Sequence, residues 1–524
     1  MKLNVETLPD NAEKLRSIII DLEERYLLRI EFLEERIRLL TKELFGRKSE
    51  KRPLESELRQ LQLFNEAEVL VTEGKKDESV EVPAHTRQRP KRKPLPEYLP
   101  RVDEIHDIPE EQKICGCGAH KSCIGEEVSE KLDIVPAKVQ VIRQIRQIRL
   151  KYACKSCEGV ESDEPTVQIA PAPPRIIPKD IATPGLLAHI AVSQYCDALP
   201  LYRQEKIFSR HGIEISRSTM SSWMVMVADK SKVLMALLQQ ELISGIVVNA
   251  DETPVRVLDE PGRKNTTKSY MWVFRGRPPE KPVIFFRYSE TRSGEVPREI
   301  PKGFHGYLQT DDYSAYEALE GEMRRVGCFS HTRRNFVKVI DARGAQAKKK
   351  TGSAEVALDY IGKLYKIEKF ARDAGLSPDE IFELRKEKAE PILKELKAWM
   401  EERKRLTPPK GLLGKALHYA LSNWSKLIRY LEDGHIPIDN NLAENAIRPF
   451  VVGRKSWLFA GHPNGAHAAA TLYSLIETAK ACGLEPYQYL RHIFAKIPYA
   501  QTEDDYRALL PQNLTSEQLT RSIL

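Results

Sequence analysis

No apolar run in the 524-residue chain approaches the roughly 18–20 residues that a membrane-spanning helix requires. The N-terminal stretch, MKLNVETLPDNAEKL, also lacks the apolar core of a signal peptide. The excess of positive over negative charge is small, because 82 Lys and Arg and 75 Asp and Glu give a net charge of only +7. These absences argue against a membrane protein, a secreted disulfide scaffold and a collagen-like chain, and they favour a cytoplasmic protein.

Apolar residues make up 41% of the chain and charged residues 30%, so the sequence can bury sizeable cores and is not globally disordered. At about 150 residues per domain, the length predicts roughly three to four domains. Because the net charge is mild for this length, charge has to be judged segment by segment.

Cysteine is sparse, and five of the eight residues fall in one short segment. In a cytoplasmic chain such clustering favours a metal site over disulfides. Cys154 and Cys157 have the two-residue spacing that lets both thiolates reach one ion, and Cys115 and Cys117 supply a tighter pair. Four thiolates would close a tetrahedral structural Zn²⁺ site, with Cys123 as a substitute for Cys115 or Cys117. Ordinary reduced cysteines are the alternative.

The N-terminal segment carries an apolar stripe whose steps of three and four residues come close to a heptad repeat. Its members are Leu15, Ile19, Leu22, Tyr26, Ile30, Leu33, Ile37, Leu40 and Leu44. Pro and Gly are absent from Asn11 to Phe45, so the pattern predicts a coiled coil that pairs chains. A single amphipathic helix packed on its own domain is the alternative.

A proline-broken linker follows the N-terminal segment. Within it, residues 87–93 (RQRPKRK) hold five basic side chains in seven positions. Such a segment cannot bury a core, but it can neutralise phosphates and release their counterions. A linker that only keeps the chain soluble fits the same composition, and both interpretations stay open.

Residues 180–235 have the outline of a helix-turn-helix. Thr183 followed by Pro184 is a helix start signal. A turn that contains Gly separates two further helical segments, 201–209 and 216–228. The side chains predicted to face DNA are Arg217, Ser218, Thr219, Ser221 and Ser222, while Met220, Trp223 and Met224 are predicted to pack inward. A small helical bundle is the alternative.

From Ser244 the pattern changes to strands. The β-rich run 245–250 leads into Asp251, two further strands are predicted at 270–275 and 283–288, and the run 306–310 leads into Asp311. The two carboxylates are therefore predicted at strand ends. Such a placement suits Mg²⁺, which takes oxygen ligands and binds through few carboxylates.

A third carboxylate follows a mostly helical stretch. Asn441, Glu444 and Arg448 have the spacing of one helix face, so Glu444 can point into a site beside a cation. Three acids from two strands and a helix could hold two divalent ions for phosphoryl transfer. The basic side chains predicted to hold DNA near this site are His331, Arg334, Arg448, Arg454 and Lys455. Asp439 and Asn441 are predicted to support the acidic residues from behind. For Asp439 the alternative is that it caps the helix of Glu444.

Several ordered blocks carry a resemblance to a known family. They are DETPV from Asp251, QTDDYSAY from Gln309, CFSHTRR from Cys328, DNNLAE from Asp439, IRP from Ile447 and GRKSW from Gly453. In these blocks the chain resembles the large transposases of the insertion-sequence 66 family. The resemblance implies an RNase H-like core with a catalytic triad of two aspartates and a glutamate, carried here onto Asp251, Asp311 and Glu444. Asp312 directly follows Asp311 and is the alternative second aspartate.

The sequence thus predicts an α+β multidomain protein whose RNase H-like α/β core contains a large helical insertion. The predicted domains are a coiled coil at 10–48, a linker at 73–102, a zinc-binding β domain at 103–165, a helix-turn-helix at 180–235, a catalytic core at 240–475 with its insertion at about 340–435, and a C-terminal segment at 476–524.

The predicted function is a DNA transposase that uses two Mg²⁺ ions and a structural Zn²⁺. Its expected partners are double-stranded DNA at inverted-repeat ends and at the target, a second copy of the chain, and accessory proteins of the same element, with no membrane. The expected location is the nucleoid in bacterial cytoplasm. The alternative is a DNA-binding regulator or domesticated protein with an inactive nuclease core. Acidic residues at all three triad positions favour the enzyme.

Overall fold

The computed structural model describes residues 174–521, apart from 179, 277–280, 312, 314–315, 317–322 and 344–351. It also describes scattered helical positions between 13 and 37 and two short strands, β1 (Lys151–Ala153) and β2 (Val167–Ile169). Met1–Lys76 and Ala172–Leu524 group as one compact unit, and Asp77–Pro171 as another. In the second unit, β1 pairs antiparallel with β2.

The described residues between 13 and 37 are helical, as the apolar periodicity predicts. Several members of the stripe are exposed, with Ile19 at 60%, Tyr26 at 66% and Ile37 at 63% of their surface accessible to solvent. Leu40, Leu44, the linker at 73–102 and the five cysteines from Cys115 to Cys157 lie outside the described residues.

Four helices precede the large sheet: α1 (Pro184–Tyr195), α2 (Leu201–Arg210), α3 (Arg217–Lys230) and α4 (Lys232–Leu242). The predicted starts are confirmed by their caps. Thr183 Oγ1 accepts the Leu186 N–H at 3.2 Å, and Ser216 Oγ accepts the Thr219 N–H at 3.1 Å. The predicted inward face of α3 is also confirmed, because Met220, Trp223 and Met224 are buried.

The sheet has five strands: β3 (Val247–Arg256), β4 (Lys268–Gly276), β5 (Val283–Ser289), β6 (Tyr307–Gln309) and β7 (Arg324–Val326). Their order is β5-β4-β3-β6-β7. The first three form an antiparallel meander, whereas β6 and β7 are added parallel to β3. The predicted strands around 270–275 and 283–288 are confirmed, each slightly longer than expected.

The outer edge of β5 is covered by helix α13 (Pro463–Ala481). Ser474 Oγ accepts the Phe286 N–H at 2.7 Å, and Thr478 Oγ1 accepts the Ile284 N–H at 3.0 Å and donates to the Ile284 carbonyl at 2.9 Å. An edge strand otherwise presents unpaired backbone groups that invite aggregation. Two hydroxyl side chains one helical turn apart therefore satisfy this edge without a further strand.

One short helix, α5 (Glu295–Glu299), lies between β5 and β6. Helices form most of the described chain between β7 and residue 440, as the sequence predicts. They are α6 (Phe329–Arg343), α7 (Ser353–Asp373), α8 (Pro378–Leu384), a π-helical turn (Arg385–Ala389), α9 (Glu390–Leu406), α10 (Leu412–Ser422), α11 (Trp424–Leu427) and a 3₁₀ turn (Ile428–Leu431). This segment has its own apolar core, which includes Phe336, Ile361, Leu393, Leu417 and Tyr430.

The chain then returns to the sheet. The remaining helices are α12 (Asn441–Trp457), α13, α14 (Pro486–Lys496), α15 (Glu503–Ala508) and α16 (Ser516–Arg521), with 3₁₀ turns at Ile497–Tyr499 and Pro511–Asn513. The sheet core joins residues of α1, α3, α12 and α13 with the strands, including Trp223, Trp272, Phe286, Phe450 and Tyr473. None of the helices in the described part of the chain has the length and apolarity that crossing a membrane demands.

Candidate active site

The two aspartates are placed by neighbouring strands, Asp251 within β3 and Asp311 two residues after the end of β6. Asn249 of β3 pairs in parallel with Gln309 of β6. Asp251 and Asp311 each come two residues later, so the parallel pairing directs both toward the same edge of the sheet. The expectation that Asp251 ends its strand is wrong. It lies opposite Val273 in the middle of β3, which continues to Arg256 because β4 pairs with it along its whole length.

A buried amide network ties this edge together. Asn249 Nδ2 donates to Gln309 Oε1 at 2.7 Å and to Asn440 Oδ1 at 3.1 Å. Asn440 Nδ2 donates to the Ala250 carbonyl at 2.8 Å, and the Asn440 N–H donates to Cys328 Sγ at 3.2 Å. These bonds fix the residue before α12 against β3. Sequence reasoning missed the network, although polar Asn249 and Gln309 inside apolar strand runs were a usable signal.

Helix α12 brings in the third acid. Glu444 lies in its first turn and is 6% exposed. Asp439 precedes the helix and accepts the Asn441 N–H at 3.1 Å, the Asn441 side-chain amide at 2.9 Å and the Tyr365 hydroxyl at 2.7 Å. The prediction that Asp439 caps this helix is wrong in position, because the N-cap residue is Asn440; the Asp439 carboxylate, one residue earlier, still satisfies a backbone donor of the first turn.

The three acids are close enough for their charges to interact. Burial raises the pKa of Asp251 well above its usual value, and the carboxylates of Glu252, Glu444 and Asp311 push it in the same direction. Burial also raises the pKa of Glu444; Arg334 opposes this, while Asp439 and Asp311 add to it. A desolvated group of carboxylates is costly without a cation, so this cluster is suited to bind one.

Two cationic or polar side chains of α6 approach Glu444. Arg334 donates to Glu444 Oε2 at 3.2 Å, and His331 Nδ1 lies 3.5 Å from Glu444 Oε1. Burial, with Arg334 next, lowers the pKa of His331 to about 4, so the imidazole is neutral near pH 7. Glu444 Oε1 is buried with no hydrogen-bond partner among the described residues. The carboxylates of Asp251, Asp311 and Glu444 are oxygen donors of the kind that Mg²⁺ takes, and these three residues would be the ligands of such an ion.

A second buried acid lies next to Asp251 and was not predicted. Arg292 Nε donates to Glu252 Oε1 at 2.8 Å, and Tyr316 donates to Glu252 Oε2 at 3.0 Å. The Arg292 guanidinium also covers the Tyr313 ring at 3.5 Å from its centroid. The Tyr313 N–H in turn donates to Asp311 Oδ1 at 3.0 Å. This cluster connects β3 to the chain that follows Asp311, and the sequence gives no spacing signal that links Arg292 to it.

Arg292→Ala is expected to lower the free energy of unfolding by about 1–3 kcal/mol, because it leaves the buried Glu252 carboxylate without its cation. Trp272 packs edge-on against Tyr316, so urea unfolding followed by tryptophan fluorescence reports on this region. The double variant Arg292→Ala/Glu252→Gln should recover part of the loss. Arg287→Ala breaks only an exposed ion pair and should stay within about 0.5 kcal/mol of the parent. Equal losses at Arg292 and Arg287 would contradict a special role for Glu252.

The other predicted DNA-contacting residues lie in two places. Arg217, Ser218, Thr219, Ser221 and Ser222 are all exposed on α3, and Lys455 is exposed near the end of α12. Arg454 is turned back to β3, where Nη1 donates to Thr253 Oγ1 at 3.1 Å and to the Pro254 carbonyl. Arg448 is half-buried one turn after Glu444. His331 and Arg334, on α6, both approach Glu444.

The remaining predicted ligands lie outside the described residues. These are Cys115, Cys117, Cys123, Cys154 and Cys157 of the zinc prediction, and Asp312, the alternative to Asp311. The cysteines among the described residues are Cys196, Cys328 and Cys482, and these three form no disulfide with one another.

Four segments of the chain match models of known protein families. Residues 179–468 match the model of the transposase IS66 family, and 474–512 match the IS66 C-terminal element. Residues 112–158 match the zinc-finger binding domain of transposase IS66, and 32–103 match a model described as transposase C of IS166 homeodomain.

Relatives in Sinorhizobium fredii are similar over most of the chain. Uncharacterized protein y4jD is 36% identical over 444 residues, which is 81% of this chain and 82% of that protein. Uncharacterized protein y4qI is 35% identical over 444 residues, covering 81% and 78%. Uncharacterized protein y4hP is 27% identical over 489 residues, covering 89% and 85%. With more than half of its residues matched by the family model, this chain belongs to the IS66 family of transposases.

Proposed function

We propose that the protein binds the terminal inverted repeats of an insertion sequence and catalyses metal-dependent phosphodiester hydrolysis and strand transfer. The observation that carries this proposal is that the carboxylates of Asp311 and Glu444 raise the pKa of Asp251, although the three acids come from separate chain segments. A sheet with an antiparallel meander followed by two parallel strands supports the further proposal of an RNase H-like core.

The three carboxylates would hold the two Mg²⁺ ions that the family resemblance implies. When bound, such a pair activates the attacking oxygen, first of water and then of a 3′-hydroxyl, and stabilises the oxygen that leaves phosphorus. Asp251 and Asp311 are held by the paired strands, and Glu444 is held by the fixed start of α12. Their role is to present oxygen ligands from rigid elements to one small volume.

Arg334 and His331 are proposed to position the DNA strand. In the protein alone, Arg334 stabilises the buried charge of Glu444. When a divalent ion binds Glu444, the guanidinium is free to turn toward a phosphate, where its planar donors suit bidentate contact. His331 is neutral near pH 7 and can donate or accept one hydrogen bond beside the same strand.

The exposed face of α3 is the proposed reader of the inverted repeats. It presents Arg217 with four hydroxyl side chains, while the opposite face is buried in the core. A helix of this kind can enter the major groove with its N-terminal residues on base edges. Ser216 caps the helix, so its start is held in a defined conformation.

The segments outside the sheet complete the proposal. The cysteines at 115–157 would bind a structural Zn²⁺, and the basic linker would contact phosphates. Exposure of Ile19, Tyr26 and Ile37 supports a coiled coil with a second copy of the chain, so that two element ends are brought together. Accessory proteins of the same element are proposed further partners, and nucleoid DNA is the proposed location.

Arg217→Ala is expected to weaken binding to end DNA about tenfold or more, because a base-contacting arginine contributes about 1–3 kcal/mol. Lys230→Ala, at the other end of α3, is the matched control and should change affinity little. Fluorescence anisotropy with end DNA and with scrambled DNA of the same length measures both effects. A loss that is the same on both DNAs would show a phosphate contact only, and no loss would remove α3 from the interface.

The activity itself is tested with purified full-length protein and a DNA that carries both element ends. Mg²⁺ is expected to give strand cleavage at the ends and joined products with a target plasmid, and sequencing of the joints locates them. Omission of Mg²⁺ should abolish both products. Cleavage without metal, or without preference for the ends, would contradict the proposal.

A further inference from the structure

A second group of metal-binding side chains meets at Glu444 and includes a thiol. One ligand atom each from Cys328, His331 and Glu444 lie within 4.8 Å of one another. Cys328 follows β7, His331 lies in the first turn of α6, and Glu444 lies in the first turn of α12, so the three come from elements packed around the same edge. The proposed strand-transfer chemistry makes no use of the Cys328 thiol.

Two of the three ligand atoms of this group lack a hydrogen-bond partner among the described residues. Glu444 Oε1 and His331 Nδ1 are both buried without a hydrogen-bond partner in the described part of the chain, although they lie 3.5 Å apart. Arg334 occupies the other glutamate oxygen, Oε2. Cys328 is 2% exposed, and its Sγ accepts the backbone N–H groups of Asn440 and His331. A carboxylate oxygen and an imidazole nitrogen that both lack a partner beside a buried sulfur are poorly satisfied by protein alone.

We propose that Cys328, His331 and Glu444 form a binding site for a borderline-soft divalent ion of the Zn²⁺ class. Thiolate, imidazole and carboxylate together are a Zn²⁺ donor set, whereas Mg²⁺ takes oxygen ligands only. Donors around tetrahedral Zn²⁺ stand about 3.5 Å apart, so the side chains need to close by on the order of 1 Å. Three protein ligands leave the fourth position open for water or a phosphate oxygen.

Because this site shares Glu444 with the proposed Mg²⁺ site, occupancy by Zn²⁺ would withdraw a ligand from that site. Zn²⁺ is therefore expected to inhibit the Mg²⁺-dependent reaction, a consequence that rests on the proposed function. The binding of Zn²⁺ does not rest on it. Soft ligands favour Zn²⁺ over Mg²⁺ at this position even when Mg²⁺ is in large excess.

The binding test uses full-length protein stripped of metal and then titrated with Zn²⁺ against a chromophoric chelator. The parent protein is expected to bind one equivalent of Zn²⁺ more than Cys328→Ser, or to bind its last equivalent at least about 100-fold more tightly. Loss of an outer-shell partner lowers metal affinity roughly 10–100-fold, and loss of a direct ligand should lower it more. Cys196→Ser is the matched control, because Cys196 lies outside the group, and it should bind like the parent.

Co²⁺ gives a second measurement, because a thiolate ligand adds a charge-transfer band to its spectrum. The band of the parent should lose intensity in Cys328→Ser and keep it in Cys196→Ser. Since Cys328 is buried, thermal unfolding of the metal-free variants checks that they fold, and His331→Gln provides a second variant that should show the same loss of Zn²⁺. Equal Zn²⁺ binding in the parent, Cys328→Ser and His331→Gln would overturn the site.

The inhibition test compares each protein with its own activity without Zn²⁺. Half-inhibition of Cys328→Ser should require at least about 100-fold more Zn²⁺ than half-inhibition of the parent. If neither protein cleaves DNA while Zn²⁺ binding still depends on Cys328, the proposed function fails and the site stands. If cleavage is found but Zn²⁺ binding is unchanged by Cys328→Ser, the site fails and the proposed function stands.

Discussion

Asp251→Asn is expected to reduce Mg²⁺-dependent cleavage at the element ends by at least about 1000-fold while leaving affinity for end DNA unchanged. Removal of one carboxylate takes a ligand from the ions that stabilise the transition state by several kcal/mol, and about 4 kcal/mol corresponds to this factor. Asparagine keeps the size of the side chain, and α3, the proposed DNA reader, is a separate element. Single-turnover cleavage and anisotropy on the same preparation separate the two effects.

The same substitution is expected to stabilise the protein when Mg²⁺ is absent. Burial and the charges of Glu252, Glu444 and Asp311 all disfavour an ionised Asp251, so a neutral amide relieves this cost. The matched control is Glu477→Gln, because Glu477 is a buried acid paired with Lys480 at 2.9 Å, outside the site. It should keep cleavage at the parent rate. An Asp251→Asn protein that cleaves at the parent rate would favour the rival, a DNA-binding protein whose acids have no catalytic task.

Mg²⁺ is expected to raise the unfolding temperature of the parent protein by about 2–4 °C and to leave Asp251→Asn/Glu444→Gln nearly unchanged. A ligand at 100 times its Kd adds about 2.7 kcal/mol when it binds only the folded state, which corresponds to a shift of this size. Differential scanning fluorimetry in buffer without chelators, so that any bound zinc stays in place, measures it. Glu477→Gln should shift like the parent.

The pH dependence of this shift has a defined sign. The pKa values of Asp251 and Glu444 are raised in the folded state, so between the ordinary carboxyl pKa and the raised values the folded protein holds more protons than the unfolded chain. Without Mg²⁺, these groups therefore lower stability as pH rises through that window. Mg²⁺ competes with those protons, so its shift should be larger near neutral pH than in mildly acidic buffer. If the Mg²⁺-induced shift in unfolding temperature did not change with pH, or were equal in the double variant, Mg²⁺ would bind at a site other than these carboxylates.

Local patterns were sufficient to predict much of the fold. The caps at Thr183 and Ser216 are short-range signals, and both helix starts are found where the residues predict them. Apolar periodicity also predicted the buried face of α3 and the long helices after β7. The extent of β3 was not predictable in this way, because its continuation past Asp251 depends on pairing with β4, a contact between residues distant in sequence.

The candidate site also contains residues that the sequence predicted and residues that it did not. Asp251, Asp311 and Glu444 were predicted from strand runs, helix spacing and ordered family blocks. The support around them was not, because it consists of side chains brought together only by tertiary packing. Glu252 shows the limit: it follows Asp251 directly, yet its partner Arg292 is 40 residues away in sequence and belongs to the loop after β5. No periodicity relates such residues, so only the folded chain shows them together.

The central claim, that Asp251, Asp311 and Glu444 form one divalent-cation site, is tested most directly by anomalous diffraction from crystals of the protein with Mn²⁺ and end DNA. We expect anomalous peaks bounded by the three carboxylates, with metal–oxygen distances of about 2.0–2.3 Å and, if two ions are present, a separation of about 3.5–4 Å. Mn²⁺ peaks bound by other residues alone, or a triad side chain that contacts no ion while DNA is in place, would contradict the account.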